Sequence, residues 1–481
     1  MYLGLDLGTG SAKALVLDEV GEVRGEGSAP YRVDAPSPGW AESAPQDWWT
    51  AVAEAARTAV GQRGEEIEAV GLSGQMHGVV LAEDTGRPVR PAVTWADARS
   101  REQLEAYGRL DAGLRRRLGN PPWAGMAGPT LLWLRDNEPE NYRSAHWALQ
   151  PKDWLRLRLT GEAASEPTDA SATLLYDVEG DAWAYDVVEA LGLRAELLAP
   201  LTDSAQVAGQ LSREAADYLC LPVGTPVAAG AGDTAAAALG SRLRLGSIQL
   251  TVGTGGQIVA LRDGPVPYPE GGVHLYRAAT GHLWYSMAAV QNAGLALEWS
   301  RNLLGPSWPE VYEEAFSVPP GAEGVTFLPY LTGERTPHFD PDVRGGWSGI
   351  SLKHGRGHLM RAALEGVAFS LRQALEALEK TGLQAPELLL GGGGASYALW
   401  RQLLASVLQR PLRVLSDANV SATGATLLGG MAIGAYSSDL DARVPGLARN
   451  HVEELVEPAE DQEAYAEAYF RYAESYPRRK G

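Results

Sequence analysis

The chain has 481 residues, 45% of them apolar, which is more than one hydrophobic core ordinarily serves and enough for two. Its net charge of -19 repels nucleic acid and anionic lipid alike, and a single cysteine, Cys220, excludes an internal disulfide. No Cys/His group has structural zinc spacing and no leader-like or membrane-length apolar run is present, so a soluble, cytoplasmic protein without nucleic-acid or membrane partners is expected.

In chain order, residues 2 to 17 read strand, turn, strand, with the turn at Gly8-Thr9-Gly10-Ser11. Glycines let main-chain N–H groups approach anionic oxygens, and Thr9 and Ser11 add hydroxyl donors. Asp6 would supply a hard oxygen for magnesium through water. An ordinary solvated hairpin would read the same way. Lys13 is one of five lysines in a chain with 36 arginines; its flexible ammonium could follow a moving phosphate, or simply face solvent from an edge strand. Ser43 is expected to cap a helix running through Trp48, Trp49, Val52 and Val60.

The apolar run EAVGL then delivers Ser73-Gly74-Gln75-Met76-His77-Gly78 to a strand end, where Gln75 and His77 could bond sugar hydroxyls, although a lone histidine is more often structural. Trp95 is a candidate sugar-stacking ring among fourteen tryptophans, most of which should be core. Asp233, in GAGDTAAAALG, is a carboxylate among residues too small to shield it. It suits a base that orients a hydroxyl and takes its proton late, and it suits a helix N-cap equally.

Laying residues 2–18 over 247–263 aligns Leu5 with Leu250, Gly8-Thr9-Gly10 with Gly253-Thr254-Gly255, and Asp18 with Asp263. The offset divides the chain into near-equal halves, 1–242 and 243–481, and implies a duplicated α/β domain with a ligand cleft between the copies. Two opposed turns could grip a triphosphate from both sides. Farther on, residues 358–382 show helical periodicity, and residues 385–415 read strand, glycine loop (Gly391 to Ser396), helix, strand. That loop lacks a dinucleotide fingerprint, and no P-loop motif occurs.

Together DLGTGSAK, GQMHG, TWADAR, LQPKDWLRLRLTGE, GAGDT, VGTGG, FLPYLTGERTP and GGGGAS span nearly the whole chain in order. In that series the chain resembles the FGGY family of carbohydrate kinases, most of all its xylulokinases. The resemblance implies two actin-like, ribonuclease-H-type α/β domains and ATP-dependent, magnesium-requiring phosphorylation of a pentulose, with D-xylulose going to D-xylulose 5-phosphate. It implies Asp233 as base and Asp6 near the metal. Met76 and His77, with Gln75 and Thr234 beside them, would meet the sugar. Thr9, Gly10, Ser11, Lys13, Gly253, Thr254 and Gly255 would lie near the nucleotide phosphates, Gly294 would be a further nucleotide-contacting position, and Gly392, Gly393, Gly394 and Ala395 would lie near the adenosine. Members often form homodimers.

Three positions depart from the family pattern: Thr234 replaces the usual Asn, Gly255 a Ser, and Thr130 a frequent Lys. They leave other acceptors open, such as ribulose, a deoxyketose or glycerol. An actin-like ATPase driven by a protein partner, or a catalytically silent sugar sensor, are the readings from other classes.

Overall fold

The computed structural model describes residues 1–415, 419–437, 454–459 and 462–476; Lys480 lies outside them. The first sheet is built on β1 (Tyr2–Leu7), β2 (Ser11–Leu17) and β3 (Val23–Pro30), a meander covered by helix α1 (Pro45–Val60). Beyond β1 lie the parallel strands β4 (Ala69–Gly74) and, after helix α2 (Pro151–Thr160), the antiparallel edge β5 (Val207–Gln210) and β6 (Pro226–Ala228). The order across the sheet is β5–β6–β4–β1–β2–β3, and a short β7 (Ala231–Gly232) extends β4 and leads into helix α3 (Asp233–Gly240).

The second sheet repeats this plan. Strands β8 (Ile248–Val252), β9 (Gly256–Arg262), β10 (His274–Arg277) and β11 (Trp284–Val290) are followed by helices α4 (Gly294–Leu304) and α5 (Arg356–Glu379). Then come β12 (Leu388–Gly391), helix α6 (Ala398–Leu408), β13 (Leu412–Val414), helix α7 (Val420–Ala432), β14 (Glu454–Val456) and helix α8 (Gln462–Ser475). The order β10–β11–β9–β8–β12–β13–β14 carries the same sequence of antiparallel and parallel pairings, with β10 as an added edge. This duplicated α/β architecture is the actin-like fold expected from the sequence.

Local chemistry explains the main elements. Both β1 and β8 are buried on both faces, as strands inside covered parallel sheets must be, so their apolar runs are nearly continuous. Ser43 does not cap α1: it sits in a two-residue strand and its hydroxyl bonds the Arg32 carbonyl at 3.0 Å, while Pro45 starts the helix with its φ already set. Lys13 is not on an edge either, because β3 lies outside β2. A separate apolar cluster joins the halves, taking Met76, Leu131 and Tyr176 from one and Tyr276, Tyr285 and Met287 from the other.

Helix α7, late in the chain, crosses back to cover β1 and β4 of the first sheet and packs against α3. Its small residues make that possible. A Cβ at Gly424 would stand 1.9 Å from the Ala236 carbonyl oxygen, and one at Gly71 on β4 would stand 1.8 Å from that of Ala425. Gly424→Ala must therefore push α3 and α7 apart, and we expect a loss of about 1–3 kcal/mol, the usual cost of overpacking a core, in equilibrium denaturation.

Candidate active site

Register explains the first half of the site. Asp6 on β1 lies opposite Lys13 on β2 and Ser73 on β4, and Ser73 in turn lies opposite Ala231 on β7, so these four form one row across the sheet. Asp233 follows two residues later, at the first turn of α3, where Gly232 and not Asp233 holds the N-cap position. Asp233 is thus the first helical residue and not the N-cap that the sequence also allowed.

The row is electrostatically uneven. Asp6 is buried, and burial raises its carboxyl while the Ser73 hydroxyl, 2.9 Å from Oδ1, and the Lys13 ammonium act to lower it. Asp233 is pushed up to about 7, first by burial and then by the charge of Asp6, against the weaker pull of the Thr234 backbone and hydroxyl. Thr234 Oγ1 donates to Asp233 Oδ1 at 3.2 Å. The hydroxyl at this departure from the family pattern thus serves the carboxylate. Lys13 Nζ donates to Asn419 Oδ1 at 3.1 Å, and Ser421 bonds the Asp233 carbonyl at 3.2 Å, so the start of α7 meets the row as well.

The GQMHG segment turns over the same place. Met76 is buried, its side chain lies against Gly232, and it accepts a long bond from the Tyr285 hydroxyl at 3.6 Å. His77 has φ 70°, an uncommon conformation for a non-glycine residue. Its Nδ1 lies 2.9 Å from the Ala172 carbonyl and must donate to it, which leaves Nε2 as an acceptor. Burial pulls His77 down to about 4, so the ring is neutral at physiological pH. Gln75 is fully buried; its amide donates to Tyr31 at 3.2 Å and to Gly8, and its Oε1 has no hydrogen-bond partner among the described residues.

At the first turn Thr9 and Gly10 are exposed, Ser11 is half-buried, and Tyr31 donates to the Gly8 carbonyl. Trp95 gives its indole N–H to Thr9 Oγ1 at 2.9 Å, so the ring flanks the turn.

The second group of sequence candidates converges separately. Gly294 N–H donates to the Gly253 carbonyl at 2.9 Å, and the Thr254 carbonyl accepts from Ala293 and Leu295. Gly392 and Gly394 lie so close to the Val252 carbonyl that Cβ atoms there would stand 2.4 and 2.8 Å from it. Gly392, Gly393 and Gly394 remain exposed, and Ala395 is buried beneath them. The two turns are not identical. Leu7 pairs with Ala12, but Val252 pairs with Gly256, so the second turn is one residue shorter. A Cβ at Gly255 would stand 2.7 Å from the Val290 carbonyl, which gives that departure a steric reason.

Other residues without an assigned role in the sequence join distant segments of the chain. Buried Glu334 accepts from the backbone of Gln291 and Arg335, both at 2.7 Å, and is pushed up to about 7 by its burial. Arg335 donates to His274 Nε2 at 2.9 Å and lies 5.3 Å over the Trp123 ring. The TGERTP motif was visible in the sequence, but its neighbours His274 and Trp123 come from distant segments. Asp233→Asn should raise the melting temperature at pH 8. The charged aspartate costs most above its raised value near 7, so the gain should shrink as pH falls from 7 and vanish only below the ordinary carboxyl value of 3.8, where folded and unfolded chains both hold the proton.

Comparison with known proteins agrees with this layout. Residues 1–240 match the N-terminal domain, and residues 249–433 the C-terminal domain, of the FGGY family of carbohydrate kinases. A xylulose kinase of Escherichia coli K12 is 34% identical over 100% of this chain and 97% of its own length. Among solved structures, a Brucella ovis protein described as a xyloylose kinase superposes with a TM-score of 0.90 at 34% identity, covering 99% of this chain and 98% of that one. A Rhodospirillum rubrum xylulose kinase gives 0.88 at 28% identity, covering 99% and 98%. With both domain types matched and the paired sheets carrying the motifs in order, the chain belongs to the FGGY family of carbohydrate kinases.

Proposed function

We propose that this kinase transfers the γ-phosphoryl group of Mg-ATP to the terminal hydroxyl of D-xylulose, giving D-xylulose 5-phosphate. The observation that carries the reading is Asp233, a carboxylate pushed up to about 7 that follows Gly232, the residue Met76 lies against, in a chain alike over its full length to a xylulose kinase. Asp233 would orient the acceptor hydroxyl and take its proton late, as a loose phosphoryl-transfer transition state requires. His77 Nε2 and Gln75 Oε1, which has no partner among the described residues, are acceptors suited to sugar hydroxyls, and Met76 supplies an apolar wall.

We assign Thr9, Gly10, Ser11 and Lys13 to phosphate charge on one side and Gly253, Thr254, Gly255 and Gly294 to it on the other. Gly392, Gly393, Gly394 and Ala395 would hold the adenosine, and closure of residues 1–242 on 243–481 would exclude water. Among the described residues no group of three or more His, Cys, Asp or Glu side chains could hold a metal. Asp6 nonetheless fits magnesium bound jointly with nucleotide phosphates, the ion's usual mode. When bound, the ion would neutralise charge on the phosphate oxygens.

ADP release with Mg-ATP should depend on D-xylulose more than on D-ribulose, L-ribulose, L-xylulose, a deoxyketose or glycerol, and should be near background without sugar. Preference for another acceptor would move the assignment to that sugar. Turnover without sugar that a protein partner stimulates would favour the ATPase. Asp233→Ala should lower kcat at least about a hundredfold. In the native enzyme kcat/KM should fall about tenfold per pH unit below 7, because the base must be unprotonated.

A further inference from the structure

Beneath the strand ends that carry Met76, His77 and Asp233 lies a group of buried charged side chains for which the reaction has no direct use. Lys152 is fully buried on α2, with Nζ 2.6 Å from Asp153, 2.9 Å from Asp169 and 3.1 Å from Glu166. Arg156, one turn along, lies 3.0 Å from Asp153. Burial alone would pull Lys152 down, but the three carboxyls more than offset it and hold the ammonium above its ordinary value. Removing so many charges from water is expensive, and apolar packing would often serve stability as well. Their contacts explain what they gain.

The group grips the segment before Asp233 at two points. Arg156 Nη1 donates to the Ala229 carbonyl at 2.5 Å. Three residues later, the Gly232 N–H donates to Thr168 Oγ1 at 2.8 Å. Since an N–H can only donate, the Thr168 hydroxyl accepts there, and its own proton goes to Glu166 Oε1 at 2.7 Å. Glu166 is fixed further by Ser204 Oγ at 2.7 Å and by the N–H groups of Thr168 and Asp169. The same group supports β4, where a Cβ at Gly74 would stand 3.0 Å from that of Lys152. Thr168 is fully buried and bonds Gly232, the residue before the proposed base.

We infer that Thr168 is a positioning residue for phosphoryl transfer: its hydroxyl locks Gly232, and through it the Asp233 carboxylate, to the buried Lys152–Glu166 ion pair. The inference rests on the kinase reading above and deepens it. Thr168 acts through Gly232. Its loss should therefore change turnover far more than substrate affinity, because the other sugar and nucleotide contacts still bind substrate while the displaced carboxylate no longer meets the hydroxyl.

The test measures sugar-dependent ADP release by the full chain, normalised to active sites by ADP-binding calorimetry, for the native enzyme, Thr168→Val and Thr168→Ser. Valine keeps the volume and removes the hydroxyl; serine keeps the hydroxyl. We expect Thr168→Val to lower kcat by about ten- to a hundredfold with both KM values within about twofold, and Thr168→Ser to restore most of it. If Thr168→Val does not fold, Thr168→Ala is judged by the same criteria. Unchanged kcat in the hydroxyl-free variant overturns the inference, as do equal losses in the serine and hydroxyl-free variants. A native enzyme with no sugar-dependent turnover would instead sink the kinase reading itself.

Discussion

Two neighbouring carboxylates, buried Asp6 and half-buried Asp233, set the terms for the rest of this molecule. The charge of Asp6 adds to burial in lifting Asp233, and Asp6 is itself raised by burial against the opposing pull of the Ser73 hydroxyl and the Lys13 ammonium. The placement of the two carboxylates side by side depends on cross-strand register. A slip of one residue in β1 would turn Asp6 to the opposite face and leave Asp233 without its neighbour.

The duplicated sheets are alike in pairing and unlike in chemistry. The place of Asp6 in the first is taken in the second by Thr251, opposite Gln257 in place of a lysine, so the charged pair exists once. The shorter second turn leaves no room for a side chain at Gly255, and its carbonyls are occupied by α4 and the segment before it. One copy thus carries ionisable groups, and the other offers main chain. Helix α7, drawn from the second half onto the first sheet, ties the two together through contacts that only small residues permit.

The sequence by itself determined the two Gly-Thr-Gly turns, the duplication, the βαβ unit and the family, because strand periodicity, glycine punctuation and ordered motifs are local signals. Asp233 and the Met-His pair were legible through those motifs. Only the tertiary structure decided that Asp233 is not an N-cap, that Lys13 lies inside the sheet, and that Ser43 bonds Arg32. It alone brought His274, Arg335 and Trp123 together across roughly two hundred residues of chain, and joined Lys152 and Thr168 to the strand before Asp233. Burial, and with it each raised or lowered carboxyl and imidazole, is a property of what packs around a residue, and sequence neighbours do not specify that packing.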